Sequence, residues 1–363
     1  MLDKFISTPI REKAGAVTSG RFDYQKDWSI CQLLETHNKQ SDYLFIFDYH
    51  DDLVIMDSEA NPQKVSFYQV KGKKGSKWSL NELLKSSKTN DDSYLLSIIG
   101  KLYAHKINFS DKIESVNFIS NAPFSVGLES GTTSIGKDVI CIVELSKKEK
   151  KKLHEKLRGE YHLSADDVDF ESISFLKMVE LSLDDSATHT TGKLANFLHN
   201  RNPQKKFNVP LIYKVLFDEV KRRTAYSKEI TDYTGLLENK SLSRTKFNTI
   251  LDRIGVNKDY DEIWQNVQTA LGNEGIAYAD ILAYKKQWEK LQMERMTYNN
   301  DLLYNLLDRI KDVVQKKEAY GSLNGLSLLA MVEDIYDSLS GKNETSLYEE
   351  QFIKAAIISE IHD

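Results

Sequence analysis

Apolar positions along the chain follow two rhythms. Up to about residue 225 they come in short runs and brief helical stretches. Tyr43–Asp48 (YLFIFD) is a nearly continuous apolar and aromatic run, as a buried strand requires. Leu53–Met56 (LVIM) is a second run. Val65–Lys71 (VSFYQVK) is a third, with Val65, Phe67, Gln69 and Lys71 alternating against Ser66, Tyr68 and Val70. The segments Asp48–Asp52 and Ser58–Lys64 carry Asp, Asn and Pro and predict hairpin turns. A loop of small and polar residues, Gly15–Arg21, precedes a helix over Tyr24–His37, with Trp28, Cys31, Leu33 and Leu34 near one face.

Further helices are predicted over Leu80–Leu84 and Ser93–Lys106, then a strand over Val116–Ser120 and another over Val139–Leu145. Ser146 suits the N-cap of a charged helix, Lys147–Leu157. Ile173–Leu183 alternates, and Thr191–Leu198 and Ile212–Thr224 read as helices. No proline follows Pro210, and the remainder reads as helix after helix. Ile276–Lys317 is one helix or two, broken at Asn299-Asn300, with an apolar stripe from Leu302 to Val314. Leu326–Leu339 and Leu347–Ile361 complete the set. That stripe serves equally well as core or as an interface with a partner or a second copy. The pattern predicts an α/β (α+β) domain over residues 1–225 and an all-helical module over 226–363.

Composition adds exclusions. With 363 residues, 40% hydrophobic and 28% charged, the chain has material for two folded domains. The net charge of −5 excludes a histone-like basic protein, so contact with nucleic acid must come from a local patch. Cys31 and Cys141 cannot build a disulfide framework or a cysteine-rich zinc site. The opening residues lack the apolar stretch of a secretory signal, and a reducing cytoplasm is the expected location. Walker-type, GxGxxG and GxSxG motifs are absent, which leaves no case for ATP hydrolysis or a serine-hydrolase elbow.

Charge is distributed unevenly where it matters. Asp42–Glu59 holds six acids and no lysine or arginine, whereas Lys64–Lys88 holds seven lysines and one acid. These stretches are neighbouring strands in the predicted hairpins. Asp52 opens one strand, and Gln69 and Lys71, two apart on the next, point the same way. A carboxylate and an amide oxygen suit a hard cation such as Mg²⁺. A lysine beside them positions water and stabilises charge on a phosphoryl group. Surplus lysines (Lys73, Lys74 and Lys77) suit a DNA backbone, or a solvated loop that protects an edge strand. An ordinary hairpin with surface charges is the plainer reading of the same residues. His50 lies beside the acids, but no second histidine stands at ligand spacing. Trp78 reads as core or as a base-stacking residue, the Lys147–Lys156 run as a solvated helix face, and His189 and His199 as surface residues.

The Asp…Gln-x-Lys arrangement resembles the PD-(D/E)xK nuclease superfamily. The ordered set REKAGAVTSGRFDYQKDWSICQLLE, YLFIFDYHDDLVIMD, FYQVKGK, GKLY (Gly100–Tyr103) and NFISNAPF resembles the double-stranded DNA endonuclease domain of CD-NTase-associated effectors. That domain also occurs in nuclease subunits of Lamassu and of systems paired with HerA-type ATPases. The likeness covers about residues 10–225, and the Asp…Gln-x-Lys triplet is its least specific part.

The resemblance implies a restriction-endonuclease-like mixed sheet flanked by helices. It implies Mg²⁺-dependent cleavage of double-stranded DNA, with Mn²⁺ as a substitute. Asp52, Gln69 and Lys71 take the core motif, Glu35 the helix carboxylate, and Asp48 competes as a metal ligand; Asp51 points the other way. Tyr24 and Gln25 match family positions near the site, without a role. The helical remainder does not resemble the cyclic-oligonucleotide sensor of those effectors. This favours an anti-phage or anti-plasmid effector most like the Lamassu nuclease subunit, held by an SMC-like ATPase and an accessory subunit and switched on by release and self-association. The alternatives are a nuclease partnered with a HerA-type ATPase and a non-catalytic DNA-binding or scaffold subunit.

Overall fold

The computed structural model describes residues 1–8, 19–86, 95–163, 168–256, 260–297, 300–339 and 347–362. Gly15–Thr18 of the predicted opening loop, the predicted helix start at Ser93 and the expected break at Asn299 lie outside them. The chain divides into two compact units. The first comprises Met1–Phe197 and Val220–Arg244, the second Leu198–Glu219 and Thr245–Asp363.

The strands of the first unit are β1 (Leu44–Tyr49), β2 (Asp51–Met56), β3 (Val65–Val70), β4 (Trp78–Ser79), β5 (Ile113–Ser120), β6 (Phe124–Ser125), β7 (Val139–Cys141), β8 (Ser174–Met178) and β9 (Ser241–Ser243). Seven of them form one sheet in the order β7-β8-β5-β3-β2-β1-β9, and β4 pairs with β6 separately. β1, β2 and β3 form an antiparallel meander, while β3, β5 and β8 run parallel, so the sheet is mixed. The fold is the restriction-endonuclease-like mixed α/β architecture that the sequence implied. The first unit extends past residue 225, the boundary read from the sequence, to take in β9.

The helices entering this unit are α1 (Leu2–Ser7), α2 (Ser19–Lys39), α3 (Leu80–Leu83), α4 (Ile98–Phe109), α5 (Lys147–Tyr161), α6 (Ser186–Arg201), α7 (Val209–Ala225) and α8 (Tyr233–Asn239). Successive side chains on a strand face opposite ways. Tyr68 meets Trp28 of α2, its ring 5.5 Å away, and Phe67 stacks on His105 of α4 at 4.0 Å. Helices thus cover both sides of β3, which explains why all six of its residues are buried. α4 belongs to the main core, where Ile99, Leu102 and Phe109 pack with Val54, Phe67 and Val116. Its first turn needs Gly100: a Cβ there would lie 1.9 Å from Glu160 Oε2, which bonds Ser97 at the helix start.

Several expectations shift at their ends. The predicted turn Asp48–Asp52 is mostly strand, because β1 runs to Tyr49 and β2 starts at Asp51. The run Val139–Leu145 is strand only to Cys141, then a short 3₁₀ turn, Ile142–Glu144. Ser146 caps α5 as expected, accepting from Glu149 N–H.

The second unit contains α9 (Arg244–Val256), α10 (Tyr260–Asn273), α11 (Tyr278–Met296), α12 (Asp301–Ala319), α13 (Leu328–Leu339) and α14 (Glu350–Ile361). Asn300 resolves the long helical run into two, its side chain accepting from Leu303 N–H at the start of α12. Of the apolar stripe, Leu303, Leu306, Leu307, Ile310 and Val314 are buried in this unit's core with Val332, Ile335 and Phe352. Leu302 points outward. No helix among the described residues is long and apolar enough to cross a membrane.

Candidate active site

The candidate site forms where three strands separate. Within the β1–β2 hairpin, Phe47 pairs with Leu53 and Tyr49 with Asp51, which leaves Asp48 and Asp52 facing each other between those pairs. Asp48 (φ 48°) and His50 (φ 68°) lie in the left-handed region, where non-glycine residues are uncommon. Tertiary contacts hold them there. Lys240 donates to the Asp48 carbonyl at 3.1 Å and to that of Thr224 at 3.1 Å, and its ammonium lies 3.9 Å from the Asp48 carboxylate. His50 Nε2 bonds the Phe5 carbonyl at 2.7 Å and is therefore engaged away from the acids.

The β2–β3 ladder ends at Leu53–Tyr68. One step further, where Asp52 and Gln69 come next, a side chain replaces backbone pairing: Asp52 Oδ2 accepts from Val70 N–H at 2.6 Å. Gln25 of α2 donates to the Val70 carbonyl at 3.0 Å. Both backbone groups of Val70 that would have continued the ladder are thus satisfied by side chains, as burial demands. Gln69 and Lys71 project to one side of β3 by alternation, and Lys71 N–H continues the pairing to Ile119 O at 2.9 Å.

The electrostatics follow from this crowding. Burial pushes the Asp52 carboxyl well above the usual range, and the charge of Asp51 adds to it. The Val70 N–H opposes, Asp48 raises it further, and the Lys71 ammonium pulls it down. Asp48 is also raised, chiefly by burial, against the opposing charge of Lys240. Gln69 Oε1 is buried and has no hydrogen-bond partner among the described residues. A buried amide oxygen without a partner is costly unless something absent from the protein alone engages it. A narrow cleft beside Asp48 and Asp52 is also lined by Phe22, Gln25, Lys26 and Ser29; Gln69 does not line it, and by alternation shares the side of Phe67.

Among the described residues, no three His, Cys, Asp or Glu side chains gather into a metal-binding group. The donors on offer are two carboxylates and one carboxamide oxygen. That all-oxygen set, with the orphaned Gln69 Oε1, fits a hard divalent cation such as Mg²⁺ rather than zinc or copper.

Other singled-out residues go elsewhere. Glu35 is half-exposed and pairs with Lys193 at 3.2 Å. It lies ten residues beyond Gln25 on α2, about 15 Å along the axis at 1.5 Å per residue, so the structure does not bring it to Asp52. Asp51 turns to α4 and meets His105 Nε2 at 2.9 Å. Lys73 donates to Glu82 at 2.6 Å and to the Lys77 carbonyl at 2.8 Å, and lies over the Trp78 ring, so it braces the loop after β3. Lys74 reaches Asp184 at 3.0 Å with both side chains exposed, and Lys77 is exposed. Trp78 is a packing residue, edge-on to Phe118 with its N–H on Ser120. Lys150, Lys152 and Lys156 on α5 pair with acids, as a solvated helix face does.

Three contributors escaped the sequence reading: Ser29, Lys240 and His105. Gln25 was marked only by position. They come from α2, from α4 and from the residue before β9, all distant in sequence from the acids.

The family model described as Cap4, dsDNA endonuclease domain, matches residues 13–224. No curated protein matches the chain.

Proposed function

The chain belongs to the Cap4 dsDNA endonuclease domain family, and from that premise we propose that it is a Mg²⁺-dependent endonuclease that hydrolyses double-stranded DNA at the Asp52–Gln69–Lys71 cluster. The match over residues 13–224 carries the reaction class. The partnerless Gln69 oxygen, and separately the raised carboxyls of Asp52 and Asp48, support the metal.

In this reading Asp52 and Gln69 offer oxygens to the cation and Asp48 completes the protein's share. Gln25 fixes the Val70 carbonyl, and Asp52 fixes the Val70 N–H, so the strand end carrying Lys71 is held in place. The Lys71 ammonium orients the attacking water and stabilises charge developing on the phosphoryl oxygens. A bound Mg²⁺ supplies Lewis-acid polarisation of the phosphate and lowers the pKa of a water. Lys74 and Lys77, exposed after β3, touch the phosphate backbone, whereas Lys73 is committed to Glu82. Glu35 has no part in this arrangement.

The finer assignment is an effector subunit of a bacterial anti-phage complex of the Lamassu type, its helical unit serving partner binding or self-association. Tyr278 and Leu282, four residues apart on α11 and both exposed, support a contact role for that unit.

Lys71→Ala tests the catalytic assignment. Plasmid cleavage in Mg²⁺ falls at least about 10³-fold, on the scale of losing a transition-state stabilising group, while the circular dichroism spectrum and melting temperature stay as in wild type. A Lys71→Ala protein that still cuts refutes the assignment. Salt-sensitive DNA binding by wild type, without cleavage in Mg²⁺ or Mn²⁺ in any assembly, replaces it with a DNA-binding subunit.

A further inference from the structure

On the far side of β2 from the cleft lies a buried ionisable pair that the reaction above does not use. Asp51 Oδ2 meets His105 Nε2 at 2.9 Å, with the two side chains only 6% and 2% exposed. A carboxylate accepts hydrogen bonds and does not donate them, so Nε2 carries the hydrogen. The imidazole lies flat on Phe67, centroids 4.0 Å apart and planes 8° apart, which fixes its orientation. Phe109 stacks on Phe67 in turn, at 5.2 Å. The other Asp51 oxygen, Oδ1, accepts from the Asp52 backbone N–H at 3.0 Å.

One carboxylate therefore ties a rigid aromatic stack to the peptide that carries the candidate metal ligand. The tie sits where the chain needs holding. Asp48 and His50 occupy left-handed backbone, and the regular ladders stop at Leu53 on one side and skip Asp48–Asp52 on the other. Its neighbours Asp51 and Leu53 are paired, but Asp52 itself is skipped, and its N–H is held by the Asp51 carboxylate. Stability is a poor reason for such a pair, because apolar residues of similar volume often replace a buried ion pair at no loss.

We propose that His105 is a positioning residue: acting through Asp51, it fixes the Asp52 backbone so that the Asp52 carboxylate is presented to a divalent cation. The proposal rests on the reading of Asp52 as a metal ligand. His105 itself touches neither metal nor DNA.

The test compares His105→Phe, which keeps the aromatic stack and removes the donor, with His105→Gln, which keeps an N–H able to reach Asp51. Two readouts are independent of cleavage: amide hydrogen exchange at Asp52, and Mn²⁺ binding by calorimetry with metal alone. In His105→Phe, Asp52 exchange accelerates and Mn²⁺ binding weakens, each about 10-fold or more, the range for lost outer-shell partners of metal ligands. The Mn²⁺ concentration giving half-maximal plasmid cleavage rises in step. His105→Gln recovers most of both, while the melting temperature of His105→Phe falls because Asp51 is left buried without its partner. Should His105→Phe fail to fold, His105→Met fills the same space without a donor and is read in its place.

Unchanged exchange and unchanged Mn²⁺ binding in the donor-less variant overturn the proposal while leaving the nuclease reading intact. A wild type that binds Mn²⁺ but cuts no DNA, with binding lost in His105→Phe, defeats the nuclease reading and upholds the positioning role. If wild type binds no Mn²⁺, the proposal falls together with the reading of Asp52 as a metal ligand.

Discussion

The two units differ in how their most crowded charges are met. In the helical unit, buried charges cancel at short range. Arg295 of α11 meets Glu360 of α14 at 2.5 Å, with both side chains below 10% exposed. Lys354 lies between Glu333 and Glu350, at 2.6 and 2.7 Å. Burial alone would depress its pKa, but the two carboxylates more than reverse that and raise it. In the sheet unit, Asp48 and Asp52 face each other, each with its carboxyl raised chiefly by burial. Lys71 and Lys240 offset them only in part. Helices choose partners along an axis, so pairs can be matched turn by turn. A sheet whose strands part brings like groups together and leaves the balance to something bound. Under the proposed function, unresolved charge more than burial itself distinguishes the candidate site.

The comparison can be broken first in the helical unit. Arg295→Leu leaves Glu360 buried without its counter-charge and costs about 3–5 kcal/mol, the range for removing one partner of a buried pair. Urea unfolding monitored in the helical signal reads the loss. A change below about 1 kcal/mol would mean the pair is solvated and the contrast false.

The second test sharpens the sheet side. The folded Asp52 pKa lies above its unfolded value, so the folded state holds the proton more tightly. Its penalty is absent below the unfolded carboxylate pKa and grows as pH rises towards the raised folded value. Metal-free protein therefore loses stability as pH rises through that window. Asp52→Asn removes this slope and raises the neutral-pH melting temperature by a few degrees while abolishing cleavage. Mg²⁺ added to wild type recovers stability by mass action. An Asp52→Asn variant that is less stable at neutral pH than metal-free wild type contradicts the direction.

The smallest effect concerns the exposed lysines. Lys74→Gln and Lys77→Gln each lower the dependence of log affinity on log salt by about 0.9, the share of one phosphate contact, without changing sequence preference. Lys73→Gln disturbs the loop instead, because its ammonium holds Glu82 and depresses that carboxyl to about 2.

Much of the scaffold was legible before any coordinates. YLFIFD, LVIM and VSFYQVK announced β1, β2 and β3 because strands covered on both sides need uninterrupted apolar side chains. Ser146 announced a helix start because capping is local chemistry, whereas Asn300 was legible only as a break. The places of Asp52, Gln69 and Lys71 on the strands were legible because they sit at the ends of those runs; their roles came from the resemblance. What was hidden is non-local. β9 has three residues and no pattern of its own, and pairs with β1 from almost 200 residues away. Lys240 reaches Asp48 from the residue just before it. Glu35 shows the limit of reading by residue type: an acid on the right helix stands on the wrong turn, because the position where α2 meets the end of β3 belongs to Gln25. The positive φ of Asp48 had only a weak local sign, since aspartate tolerates the left-handed region without requiring it.

β9 also bears on how this protein can be taken apart. Leu44, Phe45 and Ile46 of β1 pair with Ser243, Leu242 and Ser241, so a fragment ending at residue 225 strips the margin from the sheet and bares an apolar strand. Such a margin invites a stranger's backbone. An excised nuclease module is therefore expected to keep this margin covered only when its C-terminus is carried through to Arg244.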